Sequence, residues 1–308
     1  MIPALVSLVR FAWLSVATSI VVIVLKGLAF WITGSVGLLS DALESLVNVV
    51  AACVAVVALT VAARPADEGH PYGHAKAEYF SSALEGGMIV VAAGVIVATA
   101  IERLLHQKSL EDIGLGVVVS TVATVINFAT ARVLLHAARR HRSIALEADA
   151  KHLITDVWTS VGVVAGVGAV ALTGWSWLDP TIALLVGLNI VWTGIALVRR
   201  SAHGLMDTAL PESDQATIRS ILDRYRSEGI DYHALRTRQS GARCFIDLHV
   251  LVPGAWTVQH GHDVVERIEA QIREQVRNAT VLVHLEPIED PVSWADIELD
   301  RSDANERR

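Results

Sequence analysis

The sequence predicts an α-helical membrane protein in which six transmembrane helices precede a small cytoplasmic α+β domain. Three observations support this fold class. The 308-residue chain is 53% hydrophobic and only 19% charged, with a mean hydropathy of +0.47, whereas soluble domains carry about 25% charged residues. Six long apolar stretches occupy the first two thirds. The net charge of −7 arises in the last third, since residues 1–206 carry 13 basic and 13 acidic side chains and residues 207–308 carry 12 and 19.

The six predicted transmembrane helices each contain the roughly 20 mostly apolar residues that cross a bilayer. They cover residues 11–31, 35–62, 83–103, 113–135, 146–172 and 177–198. The first stretch is too long and too closely followed by others to be a removed signal peptide. Trp31, Trp175 and Trp177 lie at span ends, as expected for an aromatic belt. These spans define a transmembrane domain of residues 1–206.

Basic residues near the span ends predict the orientation, because lysine and arginine concentrate on the cytoplasmic side. Two basic residues fall on one side of the membrane, Arg103 and Lys108. The opposite side carries Arg10, Arg64, Lys76, Arg132, Arg139, Arg140, Arg142, Arg199 and Arg200. The second group is expected in the cytoplasm, and an even number of spans then places both termini there.

Several polar side chains lie within or beside the spans. An ionisable group at the bilayer centre costs at least ~2.5 kcal/mol, so such groups usually face the bundle interior and serve a function. Glu44 and Asn48 are four residues apart, as are His152 and Asp156, and residues four apart share one face of a helix. If the two helices face each other, four side chains of metal-ligating type meet at one point.

Interhelical hydrogen bonding is the alternative role for each of these residues, and for a single asparagine such as Asn48 or Asn127 it is favoured. Two i,i+4 pairs that include a histidine and two carboxylates favour a metal site instead. Asp41, three residues before Glu44, is predicted as an accessory ligand or proton-relay group. Lys26 is expected to pair with an intramembrane carboxylate, since a charged ammonium group has no lone pair.

The loop between the second and third spans carries a second candidate site. Asp67, His70 and His74 are spaced three and four residues apart. Gly69, Pro71 and Gly73 make part of this segment a turn, and a turn can gather three such side chains around one ion. A solvated cytoplasmic loop without a metal is the alternative.

The polar third is predicted to form a cytoplasmic domain at residues 207–291. Its elements are a helix at 212–228, strands at 232–239 and 243–251, a helix at 257–276 and a strand at 279–285. The strands are indicated by period-two alternation of apolar residues and the helices by amphipathic spacing. The resulting αββαβ order predicts a small α+β sandwich. Residues 292–308 are charged and are predicted to be disordered.

Histidines are concentrated in this domain, which holds five of the chain's twelve, namely His233, His249, His260, His262 and His284. Glu286 follows His284 by two residues and shares its strand face. This density favours a cytoplasmic metal site over a structural role for each histidine. The two cysteines cannot form a cysteine-rich zinc site or a disulfide framework.

Composition and motifs exclude several function classes. The acidic balance does not support a nucleic-acid-binding face. No phosphate loop, nucleophile elbow or H-E-x-x-H motif is present, so an enzyme is not expected. No aromatic cage is visible in the spans, which disfavours a carrier of organic cations. No organic cofactor is predicted.

Several motifs in order resemble those of the cation diffusion facilitators, which are proton-coupled exporters of divalent metals. The resemblance spans about residues 8–290 and rests on residues 34–48, 70–78, 148–156, 205–211 and 233–241. It implies a homodimer in the bacterial cytoplasmic (inner) membrane and a metallochaperone-like tail domain. It also implies efflux of divalent cations in exchange for protons.

The resemblance assigns roles to individual residues. Glu44, Asn48, His152 and Asp156 form the transport site; Asp67, His70 and His74 form the loop site; and His233, His249, His262, His284 and Glu286 form the tail site. Lys76 and Asp207 match a charge pair at the dimer hinge. Divalent metal ions, zinc foremost, serve as substrate and regulator.

Two positions depart from the family pattern. Zinc exporters of this family commonly carry aspartate or histidine, then aspartate, where this chain has Glu44 and Asn48. The lower charge and longer acidic side chain favour a shift of ion preference toward manganese, iron or cobalt; cadmium is a further candidate. The alternative function is a membrane metal sensor that binds ions without moving them.

Overall fold

A computed structural model describes residues 3–33, 36–105, 114–175 and 177–295. The chain divides into two compact units, residues 1–203 and 204–308. The first unit contains six long helices: α1 (Pro3–Thr33), α2 (Val36–Ala62), α3 (Ala77–Leu105), α4 (Gly114–His141), α5 (Ile144–Thr173) and α6 (Leu178–Leu205). Each coincides with one predicted span, which confirms the helical membrane fold.

Within the part of the chain that the structure describes, five helices are long and apolar enough to cross a membrane: α1, α2, α3, α4 and α6. Helix α5 is also 30 residues long, and its first half carries Glu147, Asp149, Lys151, His152 and Asp156. Many polar side chains of the unit are buried, such as Lys26 and Asn127, whereas large apolar side chains such as Trp192 and Leu172 are exposed. This inverted distribution is expected of helices surrounded by lipid.

Local signals set the ends of α5. Ser143 has extended backbone and its hydroxyl accepts from the Leu146 amide, which caps the N-terminus. Gly174 ends the helix with a φ of 75°, a left-handed conformation that glycine adopts without steric cost. The two caps therefore set where α5 begins and ends, so its polar residues lie in the first half of one continuous helix.

Small residues allow close contact between α3 and α6. A Cβ placed on Gly194 would lie 2.7 Å from Val90 Cγ2 and 3.0 Å from the Gly86 carbonyl oxygen. The hydroxyls of Ser82 and Ser201 form a hydrogen bond of 2.6 Å between the same helices. Glycine and serine at such contacts are typical of membrane helix pairs.

The second unit contains α7 (Glu212–Tyr225), β1 (Asp231–Ser240), β2 (Arg243–Val252), α8 (Val258–Gln275) and β3 (Ala279–Pro287). The sheet order is β1-β2-β3, with β1 antiparallel and β3 parallel to β2. One core packs both helices against one face of the sheet, through residues such as Ile218, Leu248 and Ile268. The predicted αββαβ order is confirmed.

The boundary predicted for the disordered tail, residue 292, falls inside a regular turn. Residues Pro291–Trp294 form a 3-10 turn, in which Ser293 Oγ donates to the Pro287 carbonyl at 2.9 Å and Trp294 Nε1 donates to the Ile288 carbonyl at 3.0 Å. The charged composition suggested disorder, but these two side-chain donors hold the turn against the end of β3. Residues 296–308 lie outside the described part of the chain.

Candidate metal sites

Helices α2 and α4 each contribute a side chain that contacts Asp156 of α5. Asn48 on α2 donates from its side-chain amide to Asp156 Oδ2, and Asn127 on α4 donates to the same oxygen at 3.4 Å. His152 lies one turn earlier on the same face of α5 and is 5% exposed. The predicted approach of the second and fifth helices is therefore present at Asn48 and Asp156.

The remaining residue predicted for the transport site, Glu44, lies on α2 one turn before Asn48. The side chains of Glu44 and Asp41 lie outside the described part of the chain. Their contribution remains a prediction, based on the i,i+4 relation of Glu44 to Asn48 along one helix face.

Three buried atoms near Asp156 have no hydrogen-bond partner among the described residues: Asn48 Oδ1, Asn127 Oδ1 and His152 Nδ1. Buried polar atoms are normally hydrogen-bonded, so each exception requires an explanation. Amide oxygens and imidazole nitrogens are ligand types for divalent ions. These atoms therefore fit a site that binds a cation from outside the protein.

Asn127 was not predicted as part of this site. Its sequence position offered no polar partner four residues away on α4, and a lone asparagine in a span is most simply an interhelical hydrogen-bonding group. The structure shows that it makes such a bond, and that the bond goes to Asp156. The available signal was its location inside an otherwise apolar span.

The three residues predicted for the loop site, Asp67, His70 and His74, lie close together. Asp67 Oδ1 lies 3.2 Å from His70 Nδ1, and Asp67 Oδ2 lies 3.3 Å from His74 Nε2. The two imidazole rings are 4.4 Å apart. A turn closed by the Gly73 amide donating to the His70 carbonyl at 2.9 Å brings the histidines together. These three residues form one of two described groups whose ligand atoms could hold a metal.

The pKa of Asp67 is held below its ordinary value, chiefly because the His70 backbone amide donates to its carboxylate at 2.7 Å. The His70 and His74 side chains lower this pKa further. A carboxylate that stays ionised at neutral pH is available as a ligand. The site is half-exposed, with side-chain exposures of 55% for Asp67 and 62% for His70, so an ion could enter from solvent.

Strand register creates the tail site. His233 on β1 pairs with His249 on β2, and His249 pairs with His284 on β3. One row of histidines therefore crosses the whole sheet. The register of β1 shifts directly after His233, where Ala234 has a φ of 49°. Such a bulge turns a side chain away from its regular direction and is frequent beside functional sites.

Glu286 joins this row from the edge strand. Its Oε2 lies 3.0 Å from His233 Nε2 and 3.3 Å from His249 Nδ1, and its Oε1 lies 3.7 Å from His284 Nε2. The side chains of His233, His249 and Glu286 are mostly buried, whereas that of His284 is 63% exposed. The first three form the second group able to hold a metal.

Two residues near the tail site differ from expectation. His262 is exposed on α8 and does not belong to the described group of His233, His249 and Glu286. Trp294 was not predicted, yet its ring lies 5.8 Å from that of His233. The sequence carried no periodic signal for Trp294 because it follows the last strand in an irregular segment.

The residues of the predicted charge pair, Lys76 and Asp207, belong to different units. Within the second unit, Asp207 Oδ1 lies 3.5 Å from Arg238 Nη1, and Asp207 has a φ of 57°. A left-handed aspartate directly after the last membrane helix marks a sharp turn in the chain. The pairing of Lys76 with Asp207 remains a prediction.

Comparison with known proteins matches the same two parts of the chain. Residues 12–206 match the cation efflux transmembrane domain, and residues 210–288 match the cytoplasmic domain of cation efflux proteins. An uncharacterised transporter of Synechocystis sp. is 52% identical over 284 residues, which cover 92% of each chain.

Two relatives carry the name cation-efflux pump FieF. The Shewanella oneidensis protein is 30% identical over 275 residues, covering 89% of this chain and 92% of its own. The Klebsiella pneumoniae protein is 30% identical over 279 residues, covering 90% and 92%. Both domain models and these full-length relatives place the two units in one family, and the chain is an integral membrane member of the cation diffusion facilitators, a family of cation-efflux transporters.

Proposed function

We propose that this protein exports divalent transition-metal ions from the cytoplasm in exchange for protons, with zinc as the expected ion. The observation that carries the proposal is the meeting of Asn48 and Asp156 from different helices, one turn from His152, inside the helical bundle. Membership of a cation-efflux family supports efflux as the activity. Iron, manganese, cobalt and cadmium are the other candidate ions.

The transport site would supply four ligands. Asp156 and Glu44 offer carboxylate oxygens, His152 offers a ring nitrogen and Asn48 offers its amide oxygen. Four ligands of these types suit a tetrahedral ion such as zinc. Because the Asn48 amide donates to Asp156, the amide group has to turn before its oxygen can bind an ion.

Proton exchange follows from ligand chemistry. Metal binds deprotonated ligands, so cytoplasmic metal displaces protons from His152, Asp156 and Glu44, and protons on the far side expel it. Asn48 does not titrate. This site should therefore exchange fewer protons per ion than a site with aspartate at that position. Rocking of the helical bundle would carry the occupied site from one side to the other.

The other two sites would serve capture and regulation. The half-exposed loop site is open to solvent, which suits transient binding of an incoming ion. The tail site combines buried histidines with Glu286 in an acidic domain. Bound metal would neutralise part of that charge and favour closure of a homodimer, which links the cytoplasmic metal level to the transport rate.

The decisive experiment is flux in proteoliposomes under an imposed pH gradient. Asp156→Ala should abolish pH-driven metal uptake because it removes the acceptor on which α2 and α4 converge. Glu147→Gln is the matched control, since this carboxylate lies on the same helix but binds Lys151 and Arg200; its flux should remain close to wild type. Persisting uptake in Asp156→Ala would show that the assigned transport site is wrong.

A membrane metal sensor is the second candidate function. It would keep all three sites and bind metal with the same stoichiometry. The sensor would be favoured over the exporter if wild-type protein binds zinc in detergent but moves no ion in proteoliposomes, with or without a pH gradient.

A further inference from the structure

Two buried carboxylates lie in the helical unit outside the transport site. Glu85 on α3 is 0% exposed and Asp149 on α5 is 2% exposed. Ser81 Oγ donates to Glu85 Oε1 at 3.1 Å, and Ser15 Oγ donates to Asp149 Oδ1 at 2.9 Å. The second oxygen of each carboxylate, Glu85 Oε2 and Asp149 Oδ2, is buried and has no hydrogen-bond partner among the described residues.

The two carboxylates lie at the same height in neighbouring helices. Helices α3 and α5 run in the same direction from a shared point, where Glu78 Oε2 accepts from Ser143 Oγ. At 1.5 Å per residue, Glu85 and Asp149 lie about 10 Å and about 9 Å beyond that point. Their helices pack directly, since Ile89 and Ala148 share one buried cluster. A negative charge on Asp149 would therefore disfavour ionisation of Glu85.

No basic side chain of the described residues bonds to either carboxylate. On α5 and α6, Lys151 and Arg200 instead bind Glu147, at 3.0 and 2.6 Å. Lys26 of α1 lies eleven residues, about 16 Å, beyond Ser15. Other titratable groups on the packed helices include the buried Glu78 and Tyr79 of α3, the buried His152 and half-buried Asp156 of α5, the exposed His136 of α4 and the exposed Cys53 of α2.

We propose that Glu85 and Asp149 form a second cation site of the transport domain, which binds one proton shared between the two carboxylates. Burial and mutual repulsion each oppose a second negative charge, and two adjacent carboxyl groups relieve both by sharing a proton. The serine hydroxyls satisfy one oxygen of each group, which leaves the two unpartnered oxygens as acceptors for that proton.

The position of the pair suggests how it takes part in transport. Asp149 precedes His152 by three residues, about 4.5 Å along α5. The pair therefore lies next to the transport site, toward the N-terminal ends of α3 and α5. If α3 and α5 separate and water enters, both carboxylates can ionise and the shared proton leaves. This step couples a proton to the change in helix packing. The inference rests on the proposed proton-coupled export.

The test uses full-length protein in proteoliposomes, with zinc and proton fluxes recorded together. In Glu85→Gln, in Asp149→Asn and in the double variant, the proton-to-zinc ratio should fall by about one and the pH profile of flux should shift. Equilibrium zinc binding should stay at the wild-type level because Asp156 and His152 are intact. Glu147→Gln should keep the wild-type ratio.

The two proposals fail in different ways. Wild-type protein without pH-driven flux would overturn the exporter itself. If wild-type protein exports zinc but the proton-to-zinc ratio and the pH profile of flux are unchanged in all three variants, only the shared-proton site is overturned.

A measurement on the unmodified protein covers variants that do not fold. Infrared spectra at neutral pH should show a protonated carboxylic acid band that resists exchange into D₂O, because the pair is buried. The absence of such a band in wild-type protein would also overturn the proposal.

Discussion

Asn48→Asp converts the amide that donates to Asp156 into a second carboxylate. The amide and carboxylate are in hydrogen-bond contact, so the variant places two carboxylate groups about 3 Å apart. Two unit charges at that distance repel by roughly 5 kcal/mol at an effective dielectric constant of about 20. A carboxyl group of ordinary pKa gains only about 4 kcal/mol by ionising at pH 7. The metal-free variant should therefore hold about one proton more at this contact than wild type at neutral pH.

Binding of zinc must expel this proton. Calorimetric titration with zinc in buffers of different ionisation enthalpy counts the protons released, and Asn48→Asp should release about one more per ion than wild type. Between pH 6 and 7, the zinc affinity of Asn48→Asp should therefore rise with pH about tenfold more per pH unit than the zinc affinity of wild type. Asn48→Ala removes the amide without adding charge and should release the wild-type number.

The same variant tests ion selectivity. Competition among zinc, manganese, iron, cobalt and cadmium in flux assays should shift toward zinc in Asn48→Asp, since the site regains a charge. Equal proton release in Asn48→Asp and wild type would refute the contact with Asp156. An unchanged ion preference would refute the argument from charge on α2.

Three further predictions concern the other sites and the packing. At the loop site, the pKa of Asp67 lies below its ordinary value, so this carboxylate stays available as a ligand as the pH falls. Histidine binds metal only in its neutral form, so zinc bound at the loop site at pH 7 should be released on acidification, and retention at pH 5 in equilibrium dialysis would contradict this. His233→Ala combined with His284→Ala should lower the zinc bound by the full-length protein, and an unchanged metal content by elemental analysis would remove the tail site. Gly194→Ala should lower stability by about 1–3 kcal/mol through overpacking against α3, which would appear as a lower melting temperature in detergent. Gly94→Ala is the control, because a Cβ there meets nothing within 4 Å, and it should keep the wild-type melting temperature. Equal melting temperatures for the two variants would count against the close contact between α3 and α6.

Much of the candidate transport site was predictable because helical spacing is a local property. His152 and Asp156 share a face wherever α5 lies, and the same holds for Glu44 and Asn48 on α2. Asn127 was not predictable in this way, since its relation to Asp156 depends on how α4 packs against α5. The Glu85 and Asp149 pair was missed for the same reason: each residue is isolated on its own helix, and the parallel packing of α3 and α5 brings them together.

The tail site shows the same division. The period of two along β2 and β3 placed Glu286 and His284 on one face. It did not predict that His233, His249 and His284 would lie in one row, because strand register and a bulge after His233 decide that. The ring of Trp294 reaches His233 only because hydrogen bonds to the Pro287 and Ile288 carbonyls fold the chain back at the end of β3.

The sequence by itself determined the membrane helices, the order of elements in the tail domain and the residue types available to bind a metal. These properties follow from hydrophobicity, periodicity and spacing within single segments. Tertiary structure alone decided which residues of different segments meet: Asn48 and Asn127 at Asp156, Glu286 among the histidines, and Glu85 beside Asp149. The physical reason is that contacts between segments depend on helix packing and strand register, which no single segment encodes.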